Sequence, residues 1–161
     1  MLSDKLQDAF NGQLNAEYYS SYLYLSMAAY FESINLPGFA HWMEVQAKEE
    51  MTHAMKFYEH IAGRRGRVTL RAVEAPPTAW KSPLAAFEDA FKHEQKVTAM
   101  IADLVKLAAA DKDDAAGIFL QWFVTEQVEE EKQTDEVVQQ CKLVGDSAQI
   151  LMIDRALAQR E

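Results

Sequence analysis

Four glutamates, Glu17, Glu50, Glu94 and Glu130, each stand in the middle of an apolar stripe at helical spacing, and this constrains the chain more than anything else in it. The first stripe runs Leu6, Phe10, Leu14, Glu17, Ser21, Tyr24, Ala28 and Phe31, advancing by threes and fours like one face of a helix. The second carries Phe39, Met43, Gln46, Glu50, His53, Phe57 and Ile61, and the third Leu84, Phe87, Phe91, Glu94, Ile101, Val105 and Ala108. The fourth carries Phe119, Phe123, Glu126, Gln127, Glu130, Thr134, Val137 and Cys141. No sustained period-two alternation interrupts them, so the fold class is all-α.

The boundaries follow from breakers and caps. Helices are expected over about 4–33, 39–62, 83–110, 114–142 and 148–158 of the 161 residues, in one domain over 1–161. Asn35-Leu36-Pro37-Gly38 breaks the first pair, Gly63 is a plausible cap, and Ser82 and Pro83 suit a helix start. Asp146 or Ser147 would cap the short last helix, whose Ile150, Leu151, Ile153 and Leu157 are expected to bury against other copies of the chain. The segment 64–82 shows no stripe, and loops of this length are uncommon in compact domains. One topology needs it. A helix of ~25 residues is ~38 Å long, and a nineteen-residue link reaches ~60 Å when extended, enough to return to the far end. The expected architecture is an up-down four-helix bundle with one long crossover and a short C-terminal fifth helix.

In such a bundle the helix middles meet at one depth, so the four carboxylates converge in the core. A buried carboxylate without a partner normally takes a proton instead, and no Lys or Arg lies on the stripes to pair with these. His53, one turn beyond Glu50, faces the same way. Two divalent cations balance four negative charges. Carboxylates with an imidazole suit iron or manganese rather than copper(I) or thiolate-bound zinc, and the single cysteine, Cys141, is remote from the site. A Glu from two helices with Glu-x-x-His from the other two is the di-iron carboxylate arrangement of helix bundles. The match here is partial: Glu50-x-x-His53 fits, but the fourth helix reads Gln127-x-x-Glu130. Glu49, Glu126 and Glu129 lie beside these residues and with Glu130 could hold a further ion, although Glu-Glu runs usually form a solvated face.

The net charge of −9 turns the chain away from nucleic acid, and no apolar run is long enough for a membrane span. One cysteine and an N-terminus without a signal-peptide layout make the cytoplasm the expected compartment.

The sequence resembles the bacterial non-haem ferritins along essentially its whole length. The likeness rests on Ala16 to Tyr24, on Lys48-Glu49-Glu50-Met51-Thr52-His53, on Phe119-Leu120-Gln121-Trp122-Phe123, on Glu126-Gln127-Val128-Glu129-Glu130-Glu131-Lys132, and on Ile150-Leu151-Met152-Ile153-Asp154-Arg155. The resemblance implies a ferroxidase centre, with a first iron site of Glu17, Glu50 and His53 and a second of Glu50, Glu94 and Glu130, Gln127 nearby. It implies a third iron site of Glu49, Glu126, Glu129 and Glu130, a tyrosine beside the centre at Tyr24, and a tryptophan at Trp122 that supplies an electron in the family. It further implies a homo-oligomeric cage of 24 subunits that oxidises Fe²⁺ with O₂ or peroxide and stores a ferric mineral. Haem is not expected, because Thr52 and Glu130 stand where the haem-binding relatives have a ligating Met and a second Glu-x-x-His.

The alternatives are a rubrerythrin-like di-iron peroxidase without storage and a non-catalytic helical module. Read without the family, Trp122 is more often core filler, Tyr24 a core residue whose hydroxyl reaches a site carboxylate, and His41, His60 and His93 satisfied or surface histidines. The run Arg64-Arg65-Gly66-Arg67 reads as a solvated loop, and Asp111, Asp113 and Asp114 as helix-dipole partners.

Overall fold

Side-chain caps start three of the five helices. Ser3 Oγ accepts from Leu6 N at 3.1 Å, Ser82 Oγ from Ala85 N at 3.1 Å and Asp113 Oδ1 from Ala116 N at 2.9 Å, each satisfying a backbone donor that the helix leaves free. The structure is a computed structural model that describes residues 2–161; Met1, the first residue of the expected domain, lies outside the described residues. It contains α1 (Asp4–Ser33), α2 (Pro37–Gly63), α3 (Pro83–Ala110), α4 (Asp114–Val144) and the short α5 (Ile150–Leu157), with no strand among the described residues. The observed bounds differ from the expected ones by one or two residues at both ends of α2 and α5 and at the end of α4.

Two tight turns close the helical hairpins. Asn35 and Lys112 take left-handed φ values of 60° and 51°, and Leu36 N and Asp113 N reach back to Phe31 O and Ala108 O at 3.0 Å. The turn after α2 is built the same way but departs from expectation. Gly63 is the last helical residue, while Arg65 carries the positive φ of 60° and Gly66 N bonds Ile61 O at 2.9 Å. Glycine is needed at 66 for proximity, since a Cβ there would stand 2.9 Å from Gln7 Oε1 and 3.0 Å from Ile61 O.

The crossover is ordered by α1 although it has no regular structure. Gln7 Oε1 accepts from Arg67 N at 2.7 Å, Asn11 bonds both Arg67 O and Thr69 N, and Ser26 Oγ donates to Pro77 O at 2.5 Å. The segment therefore runs along most of α1 and delivers Ser82 to the start of α3. Arg64, expected in a solvated loop, instead forks onto both oxygens of Asp113 at 3.0 and 2.9 Å, tying the end of α2 to the start of α4. That guanidinium holds the Asp113 carboxyl below the usual carboxylate range.

The core divides into two apolar clusters. One gathers Leu23, Met27, Phe31, Phe39, Met43, Phe87 and Val137; the other gathers Leu6, Phe10, Leu14, Phe57, Ile61, Ile101, Leu120 and Phe123. Between them each of the four long helices contributes buried polar residues: Glu17 and Ser20, Gln46, Glu50 and His53, Glu94, and Gln127, Glu130 and Thr134. A polar layer thus crosses the bundle at mid-height.

The tail helix departs from expectation. It has a place on its own bundle, where Ile153 and Leu157 join the first cluster, while Leu151 and Met152 remain exposed. Neither Asp146 nor Ser147 caps it; its N-terminal flank is Gln149, without a side-chain cap. The cap runs the other way, with Asp154 Oδ1 accepting from Phe39 N at 3.0 Å in the first turn of α2. Gly38 permits this approach, because a Cβ on it would fall 1.7 Å from Asp154 O. Gly38→Ala is expected to lower stability by about 2–3 kcal/mol or to displace α5. Gly63→Ala, whose added Cβ meets nothing within 4 Å, should be neutral or stabilise by up to about 1 kcal/mol. Thermal unfolding of the two variants checks the pair, and equal melting temperatures would remove the close-contact account of α5.

Candidate metal centre

The polar layer places Glu17, Glu50, His53, Glu94 and Glu130 in one buried space, none more than 3% exposed. Each comes from a helix middle, and the apolar clusters above and below keep water away. Ligand atoms of Glu17, Glu50 and His53 come within 4.8 Å of one another, and so do those of Glu50, Glu94 and Glu130. Glu50 belongs to both groups and can bridge two ions. These are the two sets that the family resemblance implies.

Hydrogen bonds orient the carboxylates without neutralising them. Gln13 Nε2 donates to Glu17 Oε1 at 2.8 Å, and Gln46 Nε2 to Glu50 Oε1 at 2.9 Å and Glu130 Oε2 at 2.7 Å. Gln127 Nε2 lies 3.2 Å from Glu94 Oε2, and the Tyr24 hydroxyl donates to Glu94 Oε1. His53 Nδ1 stands 3.2 Å from Glu50 Oε2. Glu17 Oε2 is buried with no hydrogen-bond partner, and a carboxylate oxygen aimed into such a cavity suits a cation.

Without a cation the charge is expensive. Burial above all, then the Glu50 charge, pushes the Glu17 carboxyl up to about 8. Burial likewise raises Glu50, Glu94 and Glu130, with neighbouring carboxylates adding to the rise at Glu50 and Glu130. At Glu94 the bonds from Tyr24 and Gln127 oppose it. Burial and the Glu94 charge raise the Tyr24 hydroxyl well above its ordinary value, so it stays a donor.

A third group, His53, Glu126 and Glu130, lies beside the pair, with Glu126 Oε1 3.7 Å from His53 Nε2. Glu49 and Glu129, expected with Glu126 and Glu130, are not gathered into it. Glu49 Oε2 accepts from Arg160 Nη2 at 2.6 Å, and Glu129 is exposed. Trp122 is not core filler: it is 39% exposed, edge-on to His53 at 5.3 Å and covered by Lys56. His93 Nε2 lies 2.7 Å from Ser20 Oγ and points away from the centre, and His41 Nε2 donates to Arg160 O at 2.7 Å. His60 stacks on Phe119 with its Nε2 unpartnered.

Gln13, Gln46 and Arg160 were not identified from sequence as parts of the site. Gln13 and Gln46 each precede a site glutamate by four residues, a spacing that puts amide and carboxylate side by side on a helix. Arg160 carries no comparable signal.

A family model for a ferritin-like domain matches residues 7–144. Bacterial non-heme ferritin of Bacteroides fragilis is 47% identical over 99% of this chain and all of its own length. The Staphylococcus aureus protein of the same name is 39% identical over 95% of this chain and 92% of its own. An open-pore ferritin of the archaeon Archaeoglobus fulgidus superposes with a TM-score of 0.98 at 50% identity, covering 99% of this chain and 98% of that one.

The raised carboxyls fix a pH dependence. Each holds a proton in the folded metal-free chain at pH values where the unfolded chain has released it, so the stability involved is full below about 4.5 and lost as pH rises through about 7 at Glu94 and about 8 at Glu17 and Glu130. His93, held down to about 4 by burial, acts in the opposite sense but only below 6.5. The metal-free protein is therefore expected to melt at progressively lower temperature from pH 6.5 to 8.5, and Zn²⁺ should restore stability with release of protons. A flat profile in chelator would contradict the burial of charge.

Proposed function

The chain belongs to the ferritin family, and from that premise we propose that it stores iron, oxidising Fe²⁺ at its buried carboxylate centre and depositing the ferric product inside a 24-subunit cage. The observation that carries the reading is the burial of four glutamates and one histidine at one depth, with Glu50 shared between two ligand groups. Both iron ions are substrates. Glu17, Glu50 and His53 hold one, and Glu50, Glu94 and Glu130 the other, with Gln127 and Tyr24 orienting Glu94.

Two Fe²⁺ give up two electrons. With O₂ these and two protons yield hydrogen peroxide; with peroxide as oxidant they yield two waters. The protein holds both ions at one spacing, so both electrons can pass in a single encounter. Its shell of hard anionic oxygens favours the ferric charge over the ferrous one, which drives the oxidation. Removal of water by the surrounding apolar clusters strengthens each of these attractions. In this reading Glu126, beside His53, and Glu130 form the third iron site with the more peripheral Glu49 and Glu129, and the cytoplasm is the compartment.

A rubrerythrin-like peroxidase shares the di-iron chemistry but stores nothing, so assembly and loading separate the two. Aerobic Fe²⁺ loading should give a particle of about 440 kDa, twenty-four copies of an 18.3 kDa chain, holding hundreds of irons. A small oligomer with two irons per chain would favour the peroxidase. Glu50→Ala and Glu94→Ala are expected to leave the cage intact and slow the initial Fe²⁺ oxidation at least about 100-fold, beyond the ~10–100-fold cost of losing only an orienting partner of a ligand; unchanged initial rates would remove the site assignment. In Glu126→Ala and Glu129→Ala the first two ions should still bind while the ratio of iron oxidised to oxygen consumed changes, and wild-type ratios in both would make these residues ordinary surface.

A further inference from the structure

The C-terminal tail reaches the metal centre through a single buried amide. Arg160 Nη2 donates to Gln46 Oε1 at 2.8 Å and to Glu49 Oε2 at 2.6 Å, and the guanidinium lies over the Trp42 ring at 4.1 Å. The backbone of the same residue is anchored, since its carbonyl accepts from His41 Nε2 at 2.7 Å. Gln46 is fully buried, and its other end, Nε2, donates to Glu50 and Glu130 together. A primary amide has one acceptor end and one donor end, and a guanidinium only donates. The cation therefore fixes which way the amide faces: Oε1 toward the tail, Nε2 toward the two carboxylates. If Oε1 turned inward it would oppose two carboxylate oxygens in a water-poor space, where such a contact is costly.

We propose that Arg160 is a positioning residue of the metal centre, holding Gln46 so that its amide sets the spacing of Glu50 and Glu130, two ligands of the second metal group. The proposal rests on the two-ion centre proposed above and adds a residue that touches neither metal nor any of the carboxylates of that centre. It also links docking of α5 to the centre, because the segment that carries Ile153 and Leu157 into the core also delivers Arg160 to Gln46.

The test is a cobalt(II) titration of the assembled metal-free protein, followed by the visible absorption of the bound ion, with particle size checked by scattering. Wild type should bind two Co²⁺ per chain at the buried centre, apart from any ion at the peripheral third site. Arg160→Ala should weaken the second ion three- to tenfold and shift its absorption bands, the range below that for loss of a direct orienting partner. Arg160→Lys, which can still donate to Gln46 Oε1, should recover most of the affinity. In a Gln46→Ala background, Arg160→Ala should cause no further loss, since the effect passes through that amide. An Arg160→Ala titration and spectrum like wild type would overturn the proposal, and so would an equal loss with Gln46 already removed, which would mark a merely structural tail. If wild-type protein bound no Co²⁺ at the centre, the two-ion reading itself would fall; two-ion binding indifferent to Arg160 would sink only the role of the tail.

Discussion

Burying four carboxylates at one depth sets a condition that the rest of the bundle must satisfy. Left ionised and alone, the four charges would cost far more than a domain's whole margin of stability, so they must take up protons or cations. Protons serve the metal-free chain, as the raised carboxyl of Glu17 shows. The two apolar clusters flanking the layer, each with several fully buried phenylalanines, provide the burial that offsets such a layer. They also hold the helix middles in register, and without that register the glutamates would not share ligand groups.

The topology serves the same end. Two helical hairpins, closed by left-handed Asn35 and Lys112, pair α1 with α2 and α3 with α4. The crossover then travels along α1 through Gln7, Asn11 and Ser26, so that α3 begins at the end which brings Glu94 level with Glu17. A short link after α2 would reverse α3 and run Pro83 to Ala110 the other way past the centre. Arg64 on Asp113 closes the frame by pinning the end of α2 to the start of α4.

Much of this was legible in the sequence because it is periodic. Apolar stripes at helical spacing give the five helices, and a glutamate out of place on each stripe gives the centre. What escaped was non-periodic. Arg160 meets Gln46 over a separation of 114 residues, and nothing local marks Arg160. The seat of α5 on its own bundle depends on Gly38 lying against the backbone of Asp154, a contact between residues far apart in the chain. Glu49 and Glu126 look alike in sequence, yet Glu126 faces His53 whereas Glu49 turns to a cation on the tail. Gly63 looked like the helix cap, but Arg65 takes the left-handed backbone, and Gly66, crowded by Gln7 and Ile61, follows it.

The choice of glutamine for the supporting residues follows from the charge balance. A lysine or arginine at positions 13, 46 or 127 would also orient a carboxylate, but it would cancel part of the −4 that attracts metal. An amide supplies the hydrogen bond and leaves the charge intact. It also occupies only part of each ligand: Gln13 takes Glu17 Oε1 and leaves Oε2 free, and Gln46 takes only Oε2 of Glu130. Orientation and attraction are thereby separated, with neutral dipoles doing the first and uncompensated carboxylates the second. The one guanidinium in the network touches the amide of Gln46 and the peripheral Glu49 rather than the carboxylates of the two-ion centre, where its positive charge would compete with the ions the site is built to take.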